Sequence, residues 1–129
     1  MSALSTRPTA PSELNASVTA EDQGLLVSLV GTADLRSTEA VESLLAGVHQ
    51  RALSGAVHEV RVDLRNLEFM NSSCFKSFVT WISQVQDLPE PAQYRIRFLS
   101  SPAILWQRRS LNALSCFAAQ LVTIESIRS

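Results

Sequence analysis

The sequence predicts an α/β domain built on a mixed β-sheet, in the order β-β-α-β-α-β-α-β, with the helices mainly on one face. Three observations predict it. Two extended runs flank the polar cluster Glu21-Asp22-Gln23-Gly24, which favours a tight reversal and hence one antiparallel pair. Beyond it, segments of helical spacing alternate with extended segments, and crossover helices make the later strands parallel. In residues 60–65, Val60, Val62 and Leu64 alternate with Arg61, Asp63 and Arg65, so one face of that strand is wet.

Taken in order, residues 1–13 are rich in Ser, Thr, Pro and Ala without an apolar period. They are expected to form a flexible tail ahead of a single domain over 14–129. The nearly continuous apolar run 25–30 suits a strand with neighbours on both edges, and Gly31 ends it. Thr32-Ala33-Asp34-Leu35-Arg36 is expected as a connector. Ser37 or Thr38 can then cap a helix whose apolar positions are Val41, Leu44, Leu45 and Val48, with Gly55 at its end. The alternating strand at 60–64 follows, and after a short connector Phe75, Phe78, Val79 and Ile82 form the stripe of a second helix, broken by Pro89 and Pro91. Tyr94, Ile96 and Phe98 alternate with Arg95 and Arg97 in a further strand. Ser101-Pro102 is a cap-then-proline start for a third helix through Leu114, and LVTIESI closes the chain as a strand.

Composition narrows the function. A length of 129 residues is one ordinary domain, and 18% charged residues with a net charge of −1 leave no electrostatic grip for direct nucleic-acid binding. A protein or small-molecule partner fits better. No apolar run approaches the roughly 20 residues of a membrane span, and MSALSTRPTAPSELN lacks a secretory apolar core, so the expectation is a soluble protein without membrane insertion. Cys74 and Cys116 fall inside predicted helices, which suits buried thiols in a reducing cytosol and a cytoplasmic localisation. His49 and His58 are scattered, so no metal is expected. No phosphate-cradling glycine motif follows any strand and no hydrolytic triad is framed; neither a cofactor nor an enzyme is expected.

The segment EFMNSSCFKSFVTWI, residues 68–82, holds the chemistry that remains. Its two serines stand where an extended segment becomes an amphipathic helix, at the strand ends where α/β sheets meet ligands and partners. Two readings are open. Ser73 can cap the helix by accepting from an amide two or three residues on, a stabilisation of about 1 kcal/mol. Alternatively Ser72 is exposed and accepts a phosphoryl group, whose roughly −1.5 to −2 charge the helix dipole would tolerate and a docked partner would not. Asp34 is either a loop acid beside Ser72 or an Asx-turn residue. Lys76, against the dipole preference, could offset a nearby phosphate, and Trp81 is an exposed anchor or a cover for the stripe's edge. The Arg108-Arg109 pair reads as a solvated face.

The segments GLLVSLVGTADLRSTEAVESLL and VRVDLRNLEFMNSSCFKSFVTWI resemble the STAS domain, the fold of bacterial anti-sigma factor antagonists. The likeness extends over residues 16–127. Gly31 and Asp34 match a strand ending in Gly followed shortly by Asp, and Phe69-Met70-Asn71-Ser72-Ser73-Cys74 is similar to an apolar pair leading into Asp-Ser-Ser-Gly. The resemblance implies that Ser72 is the phosphorylation position, with Ser73 the second choice. It implies a partner surface of Asp34, Asn71, Ser72, Ser73, Cys74 and Lys76, and a protein partner that is an anti-sigma factor or serine kinase. The implied function is partner switching controlled by phosphorylation, which ends the binding made by the unmodified domain. Two residues depart from the pattern: Asn71 replaces a carboxylate, and Cys74 replaces a glycine. An adaptor or scaffold subunit of a larger assembly, a signalling complex or a transporter accessory, is the alternative, and a small-molecule sensor at the strand ends is a third.

Overall fold

The computed structural model describes residues 14–55 and 57–127; the predicted tail over 1–13 lies outside them. Strands β1 (Leu14–Glu21) and β2 (Gly24–Ala33) pair antiparallel, closing on Glu21 opposite Gly24. The left-handed conformation in the turn falls on Gln23, at φ 62°, and not on the glycine. Gly24 is required for another reason. A Cβ there would stand 2.6 Å from the Glu59 carbonyl oxygen of the neighbouring strand.

Three further strands complete the sheet: β3 (Glu59–Met70), β4 (Arg95–Ser100) and β5 (Val122–Ser126). Their spatial order is β1-β2-β3-β4-β5, identical to their order in the chain, and every pair after the hairpin is parallel. Each parallel pair is spanned by one helix: α1 (Thr38–Ser54), α2 (Ser72–Gln86) and α3 (Leu105–Phe117). Right-handed crossovers stepping the same way across a sheet put all three helices on one face. That face holds the core, with Val27, Leu29, Val60, Val62, Ile96 and Phe98 of the strands against Val41, Leu45, Phe78, Ile82, Leu111 and Leu114 of the helices.

The other face is wet, as the alternation predicts. Arg61 pairs with Glu21 at 2.6 Å, Arg65 with Asp63 at 2.9 Å, and Arg97 with Glu59 at 3.1 Å and Glu125 at 3.2 Å. Such exposed pairs contribute little stability each but keep a broad β surface hydrated.

Several boundaries differ from expectation. β2 runs through Thr32 and Ala33, and β3 runs to Met70 with no connector before α2. Irregular register between β2 and β3, at Ser28–Val30 and Gly31–Thr32, lets both strands continue beyond the clean alternation. Gly31, at φ 105°, sits in the second irregularity, where only glycine is unstrained. Ser37 occupies the cap position of α1 without a side-chain bond, because a 3-10 turn at Leu35–Ser37 precedes it and the Thr38 hydroxyl donates to Leu35 O. α3 starts at Leu105, after Ser101 has closed a turn by accepting from the Ala103 and Ile104 amides. Cys116 is exposed, whereas Cys74 is buried.

Trp81 is not an exposed anchor: it is 1% exposed, and its indole N–H donates to the Tyr94 hydroxyl at 2.8 Å. The same hydroxyl is in hydrogen-bond contact with His49 Nδ1 at 2.7 Å. Burial lowers the His49 pKa and pushes Tyr94 up to about 12.

Candidate functional site

The site lies where β2 and β3 end side by side. Their last paired residues are Ala33 and Met70, and the Asn71 amide donates to Ala33 O at 2.7 Å, so the two chain exits are fastened together. Asn71 then turns the chain into α2. Its backbone is extended (φ −65°, ψ 149°), its carbonyl accepts the first helical bond from Phe75 N, and its Oδ1 accepts from Ser73 N at 2.7 Å. Asn71 is therefore the cap, the duty the sequence assigned to Ser73. A neutral amide does it as well as a carboxylate would.

Ser72, the first residue of α2, is exposed and spared that duty. Ser73 is half-buried with its amide already taken, and Cys74 is fully buried. The Cys74 thiol donates to Asp34 O at 3.3 Å and lies 3.6 Å from Thr38 Oγ1, so it ties the first turn of α2 to the β2–α1 connector. Burial pushes this thiol's pKa up and keeps it protonated.

Asp34 is brought to Cys74 through its backbone, while its carboxylate turns to its own connector. It accepts from Arg36 N at 3.0 Å and from the Arg36 guanidinium at 3.3 and 2.8 Å. Those bonds hold its pKa below the usual carboxylate range, chiefly through the Arg36 side chain. The Asx-turn geometry is thus present. Lys76 is exposed one turn beyond Ser72, at the i+4 spacing that puts two side chains on one helix face.

Large apolar side chains stand out at the same end of the sheet. Leu35 is 66% exposed, Phe69 48% and Leu105 86%. Leu53 and Phe117, at the carboxyl ends of α1 and α3, are exposed as well, so apolar exposure is not confined to this end. Nothing in the pattern of residues 32–36 or 66–70 marked Leu35 and Phe69 as outward side chains, because both were expected in connectors. Arg36 was missed likewise, although an Arg two residues after an Asp is the spacing at which its fork closes back on the carboxylate.

Behind the site, a second polar arrangement involves Gln107 of α3, which is fully buried. Pairing of β3 with β4 stops at Asp63, and Gln107 Nε2 donates to the carbonyls of Leu64 at 2.5 Å and Leu67 at 3.1 Å while its Oε1 accepts from Ser101 N at 2.9 Å. Trp106 Nε1 also donates to Leu67 O at 3.1 Å. Among the described residues, no group of three His, Cys, Asp or Glu is placed to hold a metal ion, and no helix is long and apolar enough to cross a membrane.

No family model matches the sequence, and no curated protein matches it. Solved structures share its fold. A crystal structure of an anti-sigma factor antagonist from Mycobacterium paratuberculosis is similar with a TM-score of 0.66 at 17% identity, covering 92% of this chain and 90% of the other. The Bacillus cell fate determinant SpoIIAA in its phosphorylated form is similar at a TM-score of 0.54 and 13% identity, over 87% and 90% of the two chains. The anti-sigma factor antagonist SpoIIAA in its unphosphorylated form gives 0.55 and 14%, over 91% and 89%. The mixed five-stranded sheet with its three helices is thus the STAS fold of anti-sigma factor antagonists, as the sequence resemblance implied. Identities this low establish the fold and leave function to be argued from the site.

Proposed function

We propose that the chain is a regulatory protein-binding module of the anti-sigma factor antagonist kind, acting in the bacterial cytoplasm without chemistry of its own, and switched by phosphorylation of Ser72. The observation that carries this reading is that Asn71, not a serine, caps α2, which leaves the exposed Ser72 hydroxyl without a structural task. A phosphate there would gain from the amino end of α2 and from Lys76 at i+4, so the fold would accept the modification. A partner seated over Leu35, Phe69 and Leu105 would not, since a hydrated dianion would be forced against an apolar contact. The solved forms of SpoIIAA, one phosphorylated and one not, support the reading by likeness of fold. Asp34, Asn71, Ser73 and Cys74 serve as supports of the surface, and the partner is an anti-sigma factor or serine kinase.

The test is incubation with an anti-sigma serine kinase and Mg-ATP, with intact-mass detection. One added phosphoryl group, lost in Ser72→Ala and retained in Ser73→Ala, is the expected result; no incorporation, or incorporation at another residue, would refute it. An adaptor that is never phosphorylated is the second reading. It is favoured by the two motif positions nearest in role to Ser72, since Asn71 is neutral and the Asp34 carboxylate is held by Arg36. Partner binding indifferent to both Ser72→Ala and Ser72→Asp would select it.

A further inference from the structure

The two edges of the sheet differ. β5 is five residues long and carries Glu125, whose carboxylate pairs with Arg97. β1 is eight residues long, pairs with β2 without a register shift, and from Leu14 to Ala20 holds neither a charge nor a proline. Among the described residues no strand lies along its outer side, so a row of backbone amides and carbonyls faces outward there. Charges, prolines and bulges are the ordinary guards of such an edge, and β1 has none before Glu21. Cross-strand partners fix the direction of each side chain. Ala16, Val18 and Ala20 lie opposite the core residues Leu29, Val27 and Leu25, so Asn15, Ser17, Thr19 and Glu21 share the wet face.

We propose that β1 pairs antiparallel with β1 of a second copy of this chain, joining two five-stranded sheets across a two-fold axis. With Val18 on the axis, Val18 meets its own counterpart and Ala16 meets Ala20 on the helix-bearing face, while Ser17 meets Thr19 and Asn15 meets Glu21 on the wet face. No like charges are opposed, because Glu21, the one ionised group of the strand, faces an amide and is already paired with Arg61. A β1–β1 contact also closes on itself, whereas β1 against β5 of another copy would run on into a fibre. The chain's own leading segment is a poorer occupant, since Pro8 and Pro11 lack the amide hydrogen that a paired strand donates. The dimer does not depend on Ser72 being a switch.

The test is sedimentation equilibrium of the full chain from about 1 to 500 µM, a range suited to the weak association of a one-strand interface. A mass rising from one copy to two is expected, with amide exchange at residues 15–20 slowing as the dimer forms. Ser17→Lys combined with Thr19→Lys opposes like charges at both crossings, at exposed positions outside the core, and should weaken dimerisation at least about tenfold. Ser17→Lys combined with Thr19→Glu opposes unlike charges in the same register and should restore it. A single copy at every concentration would overturn the proposal; slow exchange at 15–20 in that monomer would make the leading segment the occupant, and fast exchange would leave the edge to a different protein. A dimer indifferent to the first pair of substitutions, or protected elsewhere, would overturn it as well by placing the contact on another surface.

Discussion

Asn71 and Gln107 are both amides placed where β3 runs past its regular pairing, yet they are used in opposite ways. Gln107 is sealed in the interior, and both its donors and its acceptor are committed to backbone groups of three residues. Asn71 is half-exposed and makes one short bond, which frees the serine beside it. Saturation of every polar atom identifies a structural device, and a spare hydroxyl next to a satisfied cap identifies a place for chemistry. The bland and the sharp interpretations of the serine pair therefore separate on which residue does the capping.

Substitutions can test that contrast. Gln107→Ala would orphan the Leu64 carbonyl and the Ser101 amide and weaken the hold on Leu67 O; a loss of about 3 kcal/mol in urea unfolding is expected. A loss below about 1 kcal/mol would mean that water replaces the amide and that the two corners are alike. Asn71→Ala should cost about 1 kcal/mol, and Asn71→Asp should restore most of it. Ser72→Ala should change stability by less than about 0.5 kcal/mol, the expectation for an exposed residue without a structural bond. A larger loss would show that Ser72 shares the capping after all.

The smallest effect concerns a third polar set, His49, Tyr94 and Trp81. Its histidine has a folded pKa below the unfolded value of 6.5 because burial disfavours the imidazolium. The unfolded chain therefore binds the extra proton first as pH falls. The contribution of His49 is complete above about pH 6.5 and is lost progressively below it, down to the lowered folded pKa. Comparison of urea midpoints at pH 7.5 and 5.5 should show a steeper decline in the native chain than in His49→Gln, and identical slopes would remove His49 from the account.

The sequence made the strand and helix order legible because period 2 and period 3.6 are local signals, clear in residues 60–65 and 75–82. It misplaced the ends of β2 and β3 because register irregularities shift the side-chain alternation, so Asn66 and Leu67 read as connector although Leu67 is core. Trp81 looked peripheral on its own helix, and only its bond to Tyr94, thirteen residues away, explains its burial. At the site, Ser72 and Asp34 were visible from spacing and resemblance. The commitment of Asp34 to Arg36 is local, at a spacing of two residues, and was overlooked; that of Cys74 to the Asp34 carbonyl depends on how two chain exits meet and is written in no local pattern.

Strands that lie side by side in the order of their synthesis bear on how the molecule is made. Each strand after the first emerges from the ribosome with a neighbour already in existence, so it can pair as soon as it is made. Every closure spans a turn or a single helix with its short loops, which keeps the chain entropy lost at each step small and favours assembly from the amino end onward.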